Sequence, residues 1–133
     1  MGNLSVGQEQ RTPKKFIKWF EIPMVDVQRA VSFYNYLYDM EMDVVELPEH
    51  AMAVFPAESG VGGALVKGQG CVPSETGPLL YLHAVDDMQV MLKRVEDAGG
   101  RVIMGKTEIT DETGYFALFI DSEGNRLALH SND

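Results

Sequence analysis

Apolar residues recur along the chain at two periods, and the order in which the periods alternate is itself repeated. Phe16 to Pro23 (FIKWFEIP) is aromatic and β-branched and ends at a proline, which predicts a strand, and Asp26 just beyond it is a good helix N-cap. From Val27 the apolar positions fall at 27, 30, 31, 34, 37 and 38. That i, i+3, i+4 stripe predicts a helix with one buried face, ending at Tyr38 or Asp39. Three short apolar runs follow, Met42 to Leu47, His50 to Phe55 and Gly63 to Val66, each bounded by breakers, and they predict three strands. The first half therefore reads β-α-β-β-β.

Gly68 to Gly77 (GQGCVPSETG) has Gly and Pro toward both ends and no periodicity, the composition of a linker. Beyond it the pattern begins again. Leu79 to Ala84 is strand-like, Asp86 or Asp87 caps a helix with apolar positions 88, 91, 92, 95 and 98, and Gly99-Gly100 supplies its stop. Arg101 to Ile109, Gly114 to Ile120 and Arg126 to His130 are three more strands, with Ser122-Glu123-Gly124-Asn125 as a tight hairpin turn. Superposing Asp26 on Asp87 pairs Val27 with Met88, Ala30 with Met91, Val31 with Leu92, Tyr34 with Val95 and Leu37 with Ala98. The repeat is one of pattern, since few letters coincide.

The predicted fold is α+β: two βαβββ modules, about 16–67 and 78–131, forming one curved eight-stranded sheet around a cavity, with the helices outside. Residues 1–15 are expected to be a polar, mobile leader without the apolar run of a secretory signal. At 133 residues, 45% hydrophobic and 23% charged, the chain has the composition of one globular domain able to bury a core.

The formal net charge is −9, and four of the eleven Lys and Arg residues (Arg11, Lys14, Lys15, Lys18) lie at the N-terminus, so the remainder is more acidic still. Such a body repels phosphate backbones and anionic lipid, which argues against nucleic-acid and membrane partners and leaves small neutral or cationic ligands. No apolar stretch reaches the roughly 18 residues of a membrane span. Cys71 is the single cysteine, which excludes an intrachain disulfide and fits the cytoplasm. It has no basic neighbour in sequence to activate it, so no chemistry is assigned to it. The methionines are spread over both halves and suit core packing, and Gly60-Val61-Gly62-Gly63 is read as a turn.

The module repeat, WFEIP followed by D-x-x-R-A-x-x-F-Y (Asp26, Arg29, Ala30, Phe33, Tyr34), GGALV, YLHA, RVEDAGG and the closing GYFALFIDSEGNRLALHS together resemble the vicinal oxygen chelate superfamily of glyoxalase I, extradiol dioxygenases and bleomycin-resistance proteins. The resemblance covers about Phe16 to Ser131. It implies a metal ligand seven residues before the Asp that opens each helix, and a Glu near the end of each module's last strand. The first slot holds Trp19, its counterpart is Leu80, or Tyr81 if the strand is shifted by one, and the last slot holds Ala128. Hard donors are missing from all of these, so no metal or other cofactor is expected at that centre.

Strand alternation places Glu21 on the face of Trp19, a slot that in the relatives points into the cavity. A carboxylate desolvated in an aromatic-lined pocket can serve as a general base, which makes Glu21 the candidate catalytic residue; ionised, it can anchor a cationic ligand. Its other reading is a carboxylate hydrogen-bonded across strands or open to solvent at the barrel mouth. Trp19, His50, Tyr81, His83 and His130 are the candidate ligand-binding residues, and the three histidines with Glu21 could make a relocated metal site, although no pair of them has a diagnostic ligand spacing. Two functions follow from this: metal-free binding of a small, cationic, partly apolar ligand, or an enzyme of the glyoxalase or dioxygenase kind with rearranged ligands or with Glu21 as base. A homodimer is expected, because an open half-barrel leaves an edge and an apolar face to be covered.

Overall fold

The structure, a computed structural model, describes residues 12–133. The first eleven residues of the expected leader lie outside the described residues. The elements run β1 (Trp19–Pro23), α1 (Val27–Tyr38), β2 (Asp43–Glu46), β3 (Ala51–Val54), β4 (Gly62–Lys67), β5 (Tyr81–His83), α2 (Met88–Asp97), β6 (Arg101–Thr110), β7 (Gly114–Ile120) and β8 (Arg126–Ser131). This is the β-α-β-β-β pattern twice over.

Both helices start as their sequences dictate. The Asp26 side chain accepts from the Arg29 N–H at 3.0 Å, and Asp39, in the left-handed region at φ 52°, ends α1. Of the two candidate caps for α2 it is Asp87 that accepts from the Gln89 and Val90 N–H groups, while Asp86 pairs with Arg94 at 2.8 Å. The strand at the N-terminus is shorter than predicted. Trp19 pairs with Gly62, the first residue of β4, so residues 16–18 have no ladder partner, and Phe16 is 84% exposed.

The single eight-stranded sheet does not form. There are two four-stranded sheets, β1-β4-β3-β2 in module 1 and β5-β8-β7-β6 in module 2, each with its first strand paired in parallel at one edge. Side chains, not a ladder, satisfy groups at the facing edges. Asn125 Nδ2 donates to the Pro23 carbonyl at 2.7 Å, and the Tyr38 hydroxyl donates to the His83 carbonyl at 2.7 Å.

One core serves both modules. Phe20, Ile22, Ala53 and Leu65 of module 1 join Ala117, Phe119, Leu127 and Leu129 of module 2 beneath the apolar faces of the helices. Phe33 of α1 stacks on Phe119 of β7, with centroids 6.3 Å apart, and meets Tyr34 edge-on. The Ser122–Asn125 turn is also more than a hairpin. Buried Asp121 accepts from the Tyr34 hydroxyl at 2.7 Å, and the covered Glu123 carboxylate accepts from the Val25 and Asp26 N–H groups and from Arg29 Nε at 2.7 Å. Burial by itself would raise the Glu123 carboxyl, but the bonds from Arg29, from Asp26 and Val25, and from Ser122 outweigh it and hold it below its ordinary value.

Candidate functional site

Because ladder partners share a face, the faces turned away from the helices can be read from the register. In module 1 that open face carries Trp19, Glu21, Val45, Met52, Val54 and Ala64; in module 2 it carries Tyr81, His83, Phe116, Arg126, Ala128 and His130. Trp19 is 45% exposed there, and its indole Nε1 donates to Glu21 Oε2 at 3.3 Å. The glycines opposite make this possible. A Cβ at Gly62 would meet the Trp19 ring at 3.3 Å on the open face, and one at Gly63 would collide with the Phe20 ring on the core face. Gly62, read as turn, is the first residue of β4 and with Gly63 cradles two rings; the turn itself is marked by Gly60 at φ 84°.

A cleft of about 330 Å³ opens beside β1, at the seam between the modules. Its lining combines Trp19, Phe20 and Glu21 of β1 with Val72, Ser74, Thr76 and Pro78 and with Arg126 and Leu127 of β8. Residues 72–78 belong to the segment expected as a plain linker. Here they form a strap, tied down where Asn125 Oδ1 accepts from the Ser74 N–H at 3.2 Å and Arg126 Nη2 donates to the Gly77 carbonyl at 3.0 Å. Two larger grooves, of about 550 Å³ and 410 Å³, lie along α1 and α2 and are lined mostly by charged and polar side chains.

The candidate residues divide into three places. Trp19 and Glu21 line the cleft. His83 and His130 are ladder partners on the open face of module 2, with Tyr81 on the same strand and face, and none of the three lines the cleft. The His130 ring Nε2 lies 2.6 Å from the Thr113 carbonyl. His50 sits in the β2–β3 turn of module 1, where its carbonyl accepts from the Leu47 N–H at 2.8 Å. A relocated metal centre is therefore not assembled: among the described residues no three His, Cys, Asp or Glu side chains come together to hold an ion.

The chelate slots do not fit a metal either. Tyr81, not Leu80, faces Ala128, and Leu80 packs toward the core; Glu21 stands in the matching place opposite Ala64. That set of one carboxylate, one phenol and two methyl groups cannot coordinate a divalent ion. The expected desolvation of Glu21 is also missing. Its side chain is exposed at the cleft rim, because β1 is an edge strand and the open face has no cover on that side. Arg126 and the strap were not singled out by the sequence reading, although Arg126 shares the parity of Ala128 and His130 on the same strand.

Residues 16–129 match the profile of the Glyoxalase/Bleomycin resistance protein/Dioxygenase superfamily. A glyoxylase-like domain-containing protein of Didymella fabae is 26% identical over 121 residues, covering 85% of this chain and 91% of its own. The anthracycline biosynthesis protein DnrV of Streptomyces peucetius is 29% identical over 124 residues, covering 84% of this chain and 45% of its own. Glyoxalase I from Zea mays superposes with a TM-score of 0.65 at 16% identity, covering 86% of this chain and 45% of that one. A glyoxalase/bleomycin resistance protein from Albidiferax ferrireducens does so with a TM-score of 0.60 at 16% identity, covering 85% and 96%. The structural likenesses show the fold; the chain spans under half the length of the maize and Streptomyces proteins.

Proposed function

The chain belongs to the Glyoxalase/Bleomycin resistance protein/Dioxygenase superfamily, and from that premise we propose that it binds a small, partly apolar, cationic molecule in the seam cleft, without a metal. The observation that carries this reading is the Trp19–Glu21 pair. A half-exposed indole and a carboxylate on one strand offer a cation both a π face and a counter-charge, and the apolar lining accepts the rest of the molecule. The acidic body attracts the same class of ligand. The enzymatic alternative, with Glu21 as general base, would need a desolvated carboxylate that this open rim does not provide.

We further propose that the protein works as a homodimer in the cytoplasm. Apolar side chains on the open faces, among them Val45 (63% exposed) and Tyr81 (53%), want a cover, and a second copy would bring the assembly to the length of the maize and Streptomyces relatives. No helix among the described residues is long and apolar enough to cross a membrane.

Calorimetric titration with 2-phenylethylamine, a cation on an aromatic body, tests the binding reading. Glu21→Gln should weaken its affinity by about 1 kcal/mol or more, roughly fivefold, while leaving the melting temperature within a few degrees. Equal affinity in the two proteins contradicts the reading.

A further inference from the structure

Arg126 is the cationic member of the cleft and has no ionic partner among the described residues. The ion pairs of the described residues are Arg29–Glu123, Lys93–Asp97, Arg94–Asp86 and Arg101–Glu75. Neither Arg126 nor Glu21 is among them. The two line one 330 Å³ cleft without pairing to each other. Arg126 is held by a single side-chain bond, Nη2 to the Gly77 carbonyl, and its Nε is buried with no acceptor in reach among the described residues. A covered, unpartnered donor on a charged group is costly, and native structures keep few of them without a use.

From this we infer that the ligand of the cleft is zwitterionic: its cationic, apolar end lies on Trp19 and Glu21, and an anionic acceptor group, of carboxylate type, is received by the guanidinium of Arg126. This rests on the binding reading above and deepens it. Nε is covered, but Nη1 makes no hydrogen bond among the described residues, and a guanidinium nitrogen so placed can donate to a carboxylate. The ligand's two charges would then meet two side-chain charges that have no ionic partner among the described residues. The overall charge of the chain argues the other way, since a body of net charge −9 disfavours any added carboxylate. Tighter binding of a carboxylate therefore has to come from a local cation.

Trp19 is the only tryptophan, so its fluorescence reports directly on this cleft. Titrations compare 2-phenylethylamine with phenylalanine, which differs from it by one carboxylate, and with phenylalanine methyl ester, in which that charge is removed. Phenylalanine should bind about tenfold more tightly than either of the others. In Arg126→Met the advantage of phenylalanine over the amine and the ester should vanish. If phenylalanine binds no better than the amine, the zwitterion is wrong and the cleft reading survives. If neither 2-phenylethylamine nor phenylalanine binds, both are wrong. Because Arg126 also ties the strap, the ester comparison on the unaltered protein decides the question even where the variant does not fold.

Discussion

In module 1 the edge strand lays Trp19 over Gly62 and Phe20 against Gly63; in module 2 the residues placed like those glycines, counted from Ala64 and Ala128, are Arg126 and Leu127. The backbone plan is the same. One module spends its side-chain volume on β1 and keeps β4 bare, and the other does the reverse, with a three-residue β5 beside a full β8. The consequence is chemical. Where two matched modules would point four similar side chains at one centre, these point Glu21, Ala64, Tyr81 and Ala128, and the polar groups that can hold a ligand gather instead at the seam, on β1, the strap and Arg126. A duplicated fold thus keeps its strand order while the side chains at matching places diverge.

The contrast breaks most visibly at Gly63. Gly63→Val drives a branched side chain into the Phe20 ring and should cost about 3 kcal/mol, read as a lower midpoint in urea at unchanged slope. A stability within a few tenths of the parent would mean that Phe20 does not need that glycine. Leu127, already a large residue in the equivalent place, should tolerate exchange to Met with a loss below about 1.5 kcal/mol.

The helix starts differ in the same manner. α2 is capped by its own Asp87, whereas α1 is clamped from module 2 by Glu123 as well as by Asp26. Glu123→Ala strands two N–H groups and should cost about 2 kcal/mol; Asp87→Ala loses one local cap, for about 1 kcal/mol. Equal losses would remove the claim that the turn joins the modules. Acid sharpens the test. Since the folded state holds the Glu123 carboxyl below its ordinary value, the stability it contributes is complete above the ordinary carboxylate range and is lost as pH falls through and below that range. Melting temperatures of Glu123→Gln should fall less steeply between neutral and acid pH than those of the parent.

Local signals made most of the fold legible. The 27, 30, 31, 34, 37 stripe with Asp26 before it marks α1 because helix amphipathicity and capping are written in neighbouring residues. What stayed hidden depends on partners far away in the chain. Nothing near Phe16 says that its ladder partner would have to precede Gly62, and nothing near Glu123 says that the N–H groups of Val25 and Asp26 lie above it. The site followed the same division. Parity put Trp19 and Glu21 on one face, but part of the cleft lining comes from a strap whose Gly and Pro content reads as linker, and the exposure of Glu21 is set by an edge that only the sheet order reveals.

The location of a bound ligand tests the account most directly. Nuclear Overhauser contacts from the ring protons of 2-phenylethylamine should reach the Trp19 indole and the Val72 methyl groups, both in the lining of the seam cleft. Contacts to Tyr81 and His83 on the open face of module 2, or to Tyr36 in the groove along α1 and α2, with none to Trp19, would contradict it.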